Sequence, residues 1–502
     1  MTAFLTPSTE IPSHVASAPD GAAPRLPASV RVLLVNLNRY DQPYPVYPIG
    51  LAYLTGALHR AGHKALIWDA QFSTESLEAT VASFRPELVG ISMRNVDNVQ
   101  QHNPVSFVQS VVDCCAQIRA VTKAILVLGG SAFSIFPRAL FDLTGVDYGI
   151  QGAGEEPLIR LIERLQAGRS PTGVPGLFHR PARGQVDHQP AQFAATTFHV
   201  EPYHEPTLLK TYTSHGSLPG IQTQRGCPLR CCYCTYPLIE GKRSRFRSGE
   251  HVVAEMRRML ALGVRYTFIV DSVFNTRPDH VAEICEALIR AGLDMQWECF
   301  LRPAGITREL LQLMKRAGLR HVEFGSDSFS DPVLESYGKS FSFDDIRIAS
   351  EHAHALGLHY SHFIIFGGPG ETPATVEETL ARAQTLPGAY YFATIGMRIY
   401  PDTPLWRSLA PEVHGESVAD YLPRPRFHLA PGFTAHGLYE RLAQVKKTHH
   451  NWIVGDPPPA FQTTMKKLRD RGLRGPLWEY IELLQRLDPQ EAIRPAAALS
   501  KG

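Results

Sequence analysis

The chain has 502 residues, 44% of them hydrophobic and 20% charged, ordinary values for a globular protein of about two to three domains. Its net charge of +2 argues against the strongly basic footprint of a nucleic-acid binder, and no apolar run reaches the ~20 residues of a membrane-spanning helix. Eight cysteines in so long a chain do not suggest a disulfide scaffold, so the cytoplasm is the expected compartment.

Residues 1–29 are rich in Pro, Ala and Ser, with neither a basic start nor an apolar core. They read as a disordered lead-in and not as a signal peptide. From Val30 short apolar strands alternate with helical patterns: Val30–Asn36, Lys64–Trp68, Leu88–Ser92, Ala124–Gly129 and Asp147–Gln151 read as strands, and Gly50–Ala61 as the first helix. That alternation predicts a doubly wound parallel sheet over residues 30–167, with ligands at the carboxyl ends of its strands. The residues at those ends are Asn36-Leu37-Asn38, Ser92-Met93-Arg94-Asn95, Gly129-Gly130-Ser131 and Gly152-Ala153-Gly154-Glu155. Glycines at adjacent strand ends let a bulky flat ligand approach the backbone. A dinucleotide would want G-x-G-x-x-G after the first strand, where Asn36-Leu37-Asn38-Arg39-Tyr40-Asp41 stands instead.

Residues 168–215 have the Pro, Gly, Arg and Gln content of a linker. After a strand-like run, Leu218–Gln224, comes Gly226-Cys227-Pro228-Leu229-Arg230-Cys231-Cys232-Tyr233-Cys234. Cys227, Cys231 and Cys234 have the spacing C-x3-C-x2-C, and three thiolates this close can cap three corners of a cubane iron–sulfur cluster, leaving the fourth iron open. Structural zinc and a disulfide are the competing readings. Zinc needs a fourth ligand, and no second C-x2-C pair follows.

Further strand-like runs are Tyr266–Asp271, Met295–Leu301, His321–Gly325, His359–Gly367 and Tyr391–Ile399, separated by helical patterns such as Glu250–Leu262. With the strand before Cys227 they make six βα units, a partial (β/α)6 TIM-type barrel over residues 216–402 with its chemistry at the strand carboxyl ends. The run Lys242, Arg243, Arg245 and Arg247 is either a solvated face or a contact for an anion. Lys339 is equally open, and Cys299 either faces the barrel cavity or is an ordinary buried residue. Residues 403–502 read as a helical C-terminal cap. Within it His449-His450-Asn451-Trp452 offers a metal or catalytic site, against the commoner reading of structural histidines.

The cysteine stretch resembles the signature of the radical S-adenosylmethionine (SAM) family, C-x3-C-x-aromatic-C, with Tyr233 in the aromatic slot. The resemblance implies a [4Fe–4S] cluster on Cys227, Cys231 and Cys234, with SAM on the open iron. One-electron reduction would then cleave SAM to methionine and a 5′-deoxyadenosyl radical. By position in the family pattern, Asp271 and Ser272 would meet the SAM amino group, although the usual Gly-Gly-Glu is replaced. Arg302 would meet the carboxylate unless it forms an ordinary barrel salt bridge. Ser326 and Asp327 would lie at the ribose, Gly368 within a G-x-P-G-E-T-like turn, and Gly396 and Met397 near the adenine.

Placed directly before such a core, the first domain looks like the cobalamin-binding module of cobalamin-dependent radical SAM enzymes. The matching pieces are Tyr47-Pro48-Ile49-Gly50-Leu51, the Gly129-Gly130 strand end and the G-x-G-E of Gly152 to Glu155. The resemblance implies cobalamin contacts at Asn38, Ser92, Arg94, Gly129, Gly130, Ser131, Gly152, Gly154 and Glu155. The D-x-H-x-x-G motif whose His ligates cobalt in other modules is absent.

Together the resemblances imply C-methylation of an unactivated carbon in a small secondary metabolite or lipid precursor. The partners implied are a small-molecule substrate and an external electron donor of flavodoxin or ferredoxin type, with no nucleic acid and no integral membrane segment. Radical rearrangement, ring contraction or cyclisation without methyl transfer is the second expectation, and a non-catalytic cluster- or cobalamin-binding regulator the third.

Overall fold

The structure is a computed structural model that describes residues 26–181, 185–193, 198, 200–409, 422–455 and 459–480. Its first sheet is built from β1 (Arg31–Asn36), β2 (Lys64–Asp69), β3 (Leu88–Ser92), β4 (Ile125–Gly129), β5 (Tyr148–Ile150), β6 (Leu177–His179) and β7 (Asp187–His188) in the order β2-β1-β3-β4-β5-β6-β7. The first five strands are parallel. Val32 to Val35 of β1 are fully buried, because helices cover both faces, as a continuous apolar strand requires. One face carries the core of Val32, Leu34, Leu58 and Leu161, and the other that of Leu33, Val35, Val89 and Val111.

β6 and β7 lie in the segment read from sequence as linker. They add to the sheet antiparallel, covering the short strand β5, which would otherwise leave an open edge. The same segment holds the helix Pro206–Ser214, capped by the Glu205 carboxylate. Three- and two-residue strands carry no period that a sequence could display.

The second sheet comprises β8 (Gly220–Ile221), β11 (Tyr266–Ile269), β12 (Gln296–Leu301), β13 (Leu319–Asp327), β14 (His359–Phe366), β15 (Tyr390–Ile395) and β18 (Trp452–Val454). All are parallel in the order β18-β15-β14-β13-β12-β11-β8. Two short antiparallel pairs accompany them, β9 (Gln224–Arg225) with β10 (Arg245–Phe246) and β16 (Met397–Arg398) with β17 (Phe427–His428).

The seventh barrel strand, β18, corrects the expectation of six strands and an all-helical cap. It follows the helix Ala435–Thr448 and pairs Trp452 opposite Tyr391. Asn451, proposed from sequence within a His-His-Asn-Trp site, docks this strand: its side chain donates to Ala389 O at 2.8 Å and its carbonyl accepts from Tyr391 N at 2.9 Å. The helix Pro459–Asp470 and a 3-10 turn at Trp478–Tyr480 complete the described cap; residues 481–502 of the expected helical cap lie outside the described residues.

Alternation fixes what points into the barrel. Trp297, Cys299 and Leu301 of β12 pack outward in the core formed with the surrounding helices, which settles Cys299 as a core residue. Glu298 and Phe300 therefore face the axis. The ring centroids of Phe300 on β12 and Phe363 on β14 are 5.9 Å apart, although β13 lies between those strands; only the concave side allows this contact.

Candidate active site between two strand-end edges

Two buried ion pairs fix how the sheets meet. Asp97, just past β3, accepts from Arg398 Nη2 at 2.8 Å and Nε at 3.0 Å. Glu155, just past β5, accepts from Arg225 Nη2 at 2.7 Å, and that guanidinium lies 4.8 Å over both Tyr53 and Phe198. All four residues follow or lie near the carboxyl ends of strands, so the carboxyl edges of the two sheets face each other. Glu155, expected at cobalamin, is thus committed to a joint between the sheets. Arg225 overcomes the desolvation of its carboxyl and holds its pKa below the usual carboxylate value.

On the barrel side, the cysteine loop opens on Gly226 at φ +87°, where a Cβ would lie 2.2 Å from Arg243 O, so only glycine fits. Backbone bonds shape the loop: Cys227 N to Gly241 O at 3.1 Å, Cys232 N to Tyr337 O at 2.9 Å and Cys234 N to Cys231 O at 3.2 Å. Cys227 is buried, Cys231 and Cys234 half-buried, and none is in a disulfide. Cys232 turns away, its sulfur 3.6 Å from that of Met397.

Beside the loop, Tyr233 OH donates to Asp327 Oδ2 at 2.5 Å, and Lys339 Nζ pairs with the same oxygen at 2.5 Å. Burial raises the Cys231 and Cys234 thiols, Cys234 to about 12, while the Lys339 charge pulls both down. Lys339, left open by the sequence, is the cation beside the cysteine loop: its own pKa is raised by Asp327 and by Cys231 despite burial.

The remaining strand-end residues divide into free and committed groups. Ser272 Oγ and Arg302 Nε are buried without a hydrogen-bond partner among the described residues. Asp271 accepts from Thr223 N at 2.7 Å, Thr223 Oγ1 at 2.5 Å and Gln224 N at 3.1 Å, which ties down the approach to the cysteine loop. Burial pushes its carboxyl up to about 7 against those hydrogen bonds. Ser326 Oγ faces His362 Nδ1 at 2.8 Å inside the wall. Gly368 makes room for Tyr337, whose hydroxyl would lie 2.2 Å from an added Cβ. Gly396 turns the chain at φ +76°, and Met397 is buried against Cys232 and Tyr337. The basic run splits: Arg247 pairs with Glu255 at 2.6 Å and Arg245 is buried, while Lys242 and Arg243 are exposed.

On the opposite edge Asn36, Ser92 and Gly129 form one row across β1, β3 and β4. Gly130, at φ +101°, crosses Met93 so closely that a Cβ would be 2.4 Å from Met93 O. Ser131 opens the short helix Ser131–Ile135, Gly152 N donates to Ser134 Oγ at 2.9 Å, and Gly154 packs on Leu54. Asn38 closes a local turn on Tyr40. Arg94 is exposed while its neighbours Met93 and Val96 are buried. Desolvation lowers its pKa, countered by Tyr236, Tyr44 and Tyr212.

The Radical SAM superfamily model matches residues 221–383, and the B12 binding domain model matches residues 41–162. The chain belongs to the cobalamin-binding radical SAM enzymes. It is 26% identical over 453 residues to the tryptophan 2-C-methyltransferase of Streptomyces laurentii, covering 76% of this chain and 75% of that protein. It is also 26% identical over 421 residues to the cytidylyl-2-hydroxyethylphosphonate methyltransferase of Streptomyces wedmorensis, covering 70% and 76%. The solved structure of the radical SAM methyltransferase TsrM from Kitasatospora setae, with cobalamin and a [4Fe–4S] cluster bound, superposes with a TM-score of 0.80 at 25% identity over 91% of this chain and 98% of that one. The cobalamin-dependent enzyme OxsB shares the fold, with a TM-score of 0.71 at 18% identity over 91% and 71%.

The cofactors of this radical SAM enzyme are a [4Fe–4S] cluster, SAM and cobalamin, and its residues fit them. Among the described residues no three His, Cys, Asp or Glu side chains converge on a single metal ion, yet Cys227, Cys231 and Cys234 follow one another as C-x3-C-x2-C in one loop. That spacing suits a polynuclear cluster better than one ion. On the first sheet the row of Asn36, Ser92 and Gly129 lies at the strand carboxyl ends, where a doubly wound sheet takes its ligand.

Proposed function

We propose that this radical SAM enzyme methylates an unactivated carbon of a small molecule held between the two strand-end edges. The observation that carries the reading is the face-to-face placement of those edges, fixed by the Asp97–Arg398 and Glu155–Arg225 pairs. Bound there, the cluster supplies the electron that cleaves SAM, and cobalamin supplies the methyl group to be transferred.

Cys227, Cys231 and Cys234 would hold the cluster, with Lys339 offsetting the negative charge of the thiolates and Asp327 and Tyr233 fixing Lys339 in place. Ser272 and Arg302 keep unpartnered polar atoms at the barrel mouth for SAM. Arg94, Ser92, Gly129 and Gly130 would line the cobalamin face. The ion pairs between the edges exclude water and hold the two faces in one geometry. An external electron donor of flavodoxin or ferredoxin type would serve the cluster, and the cytoplasm is the proposed location. Among the described residues no helix is long and apolar enough to cross a membrane.

The test uses anaerobically purified, cluster-reconstituted protein supplied with cobalamin, SAM and a reductant. Stoichiometric bound cobalamin, with 5′-deoxyadenosine and S-adenosylhomocysteine both formed, is the expected result. Deoxyadenosine without cobalamin or S-adenosylhomocysteine would move the function to radical rearrangement or cyclisation.

A further inference from the structure

Below the barrel mouth, the axis is lined by a chamber that the cofactors do not account for. Four phenylalanines form its wall: Phe268 and Phe300 are 4.9 Å apart, Phe300 and Phe363 5.9 Å, and Phe363 and Phe392 4.9 Å between centroids. All four are only half-buried, although each sits on a barrel strand. Between them, on β13, stands Gly325, where an added Cβ would meet nothing within 4 Å. The barrel is therefore open at its axis at this level.

Deeper in, the lining changes from aromatic to polar. Glu298 is fully buried, and neither of its carboxylate oxygens has a hydrogen-bond partner within 3.5 Å among the described residues, although the nearby Tyr266 hydroxyl acts to lower its pKa. Glu323 is 7% exposed, on the adjacent strand; it shares the axial face because Glu298 is in register with His321, two residues before it. Ser361, in register with Glu323, leaves its Oγ buried without a partner among the described residues, and Trp478, from the C-terminal segment, lies against the Glu323 carboxyl and lowers its pKa. Trp478 stacks across the base, 5.1 Å from Tyr390 and 5.3 Å from His321. Unmade buried hydrogen bonds of this kind are expensive unless something enters to make them. No third His, Cys, Asp or Glu among the described residues completes a metal site here.

We infer that this chamber is a substrate well for an elongated molecule with a flat apolar or aromatic body and a terminal ammonium group, the ammonium being held by Glu298 and Glu323. The inference rests on the methyltransferase reading only in taking the bound molecule as the substrate. The phenylalanine wall takes the body by stacking and by ring–cation contact near the floor. The paired carboxylates take three N–H donors that a neutral tail would not offer. Four residues of β13 separate Glu323 from Asp327 at the strand end, roughly 13 Å of strand, so the carbon presented to the cofactors is remote from the amine. The Tyr44 hydroxyl, from the loop after β1, feels Glu298, Glu323, Arg469 and Arg94 together, and the Arg469 guanidinium lies 5.7 Å over its ring.

The probes are phenethylamine, its isosteric neutral analogue phenethyl alcohol, and the anion hydrocinnamate, titrated calorimetrically into the full-length, cluster-reconstituted enzyme. Phenethylamine should bind at least about tenfold tighter than the alcohol, as a charge-assisted hydrogen bond implies, with hydrocinnamate weakest. Glu298→Gln combined with Glu323→Gln should reduce the amine to the affinity of the alcohol and leave the alcohol unchanged, which also shows that the variant is folded. Gly325→Leu, which fills the open axis without touching a carboxylate, should abolish binding of all three. Equal binding of amine and alcohol to the wild type, no amine binding at millimolar concentration, or an amine preference surviving in either variant overturns the inference. SAM cleavage measured on the same samples separates the two readings: cleavage without amine preference removes only the well, and amine preference without cleavage removes only the proposed chemistry.

Discussion

At the carboxyl end of the barrel, Lys339 sits on Asp327, Arg225 on Glu155 and Arg398 on Asp97, each carboxylate with a cation at hydrogen-bond distance. Toward the opposite end, Glu298 and Glu323 lie together with no ion-pair partner among the described residues, and burial together with their mutual repulsion raises the Glu298 pKa far above the usual carboxylate range. Charges that are paired within the fold hold the two edges in register. Carboxyls left unpaired inside it, held protonated by burial, are kept for a cation arriving from outside.

The largest expected effect breaks the upper end outright. Replacing Cys227, Cys231 or Cys234 with Ala should abolish the iron–sulfur absorbance and SAM cleavage. The melting temperature of the apoprotein should barely change, since the loop is shaped by the backbone bonds of Cys227, Cys232 and Cys234 and not by their sulfurs. Iron and sulfide analysis beside a thermal melt decides this, and a full cluster in any of the three variants would remove that residue from the ligand set.

Next in size is the joint. Arg225→Met strands Glu155 in a buried site and should lower stability by about 3–5 kcal/mol, measured by urea denaturation. Adding Glu155→Gln should restore most of the loss, because the penalty belongs to the unpaired charge. If the double variant stays as unstable as the single one, stacking of Arg225 on Tyr53 and Phe198 matters more than the pair.

Lys339 gives a smaller, electrical effect. Lys339→Met leaves the Asp327 carboxylate facing the thiolates and should make reduction of the cluster harder by about one decade, ~59 mV for a one-electron couple. A redox titration followed by electron paramagnetic resonance reads this. An unshifted potential would make Lys339 a clamp for Tyr233 and Asp327 only.

What the sequence disclosed follows the same division. The cysteine spacing was legible because ligand chemistry dictates it, and so were the parallel strands with their glycine ends, because burial on both faces writes continuous apolar runs. Glu155, Ser326, Gly368 and Met397 were named as cofactor contacts from their place in a motif. Yet their side chains, or the space they leave, serve Arg225, His362, Tyr337 and Cys232. A motif gives a position along the chain and not a direction in space. β6, β7 and β18 escaped because they are too short to show a period, and β18 depends on a strand partner some sixty residues away, Trp452 on Tyr391. The well was hidden for a related reason. Glu323 sits at mid-strand in β13, which runs to Asp327, two residues beyond the expected end at Gly325, and nothing in the sequence marks a mid-strand carboxyl as facing the barrel axis.

That placement predicts the smallest effect, a slope in pH. Burial raises the Glu323 carboxyl from 4.5 to about 7 in the folded protein. The native state therefore holds more protons than the unfolded chain between those values. The stability this group contributes is complete below the unfolded pKa and is lost as pH rises through the folded one. Glu323→Gln is neutral throughout and lacks that loss, so its melting temperature relative to the wild type should climb from about pH 5 to about pH 8. His362, whose pKa burial lowers to about 3, contributes a slope of opposite sign over the acid part of this range, but it is present in both proteins and cancels in their difference. Phenethylamine should flatten the wild-type curve toward that of the variant, since a bound ammonium offsets the carboxylate charge that rising pH creates. Parallel curves in the absence of amine would mean that the floor of the barrel is wetter than its unmade hydrogen bonds imply.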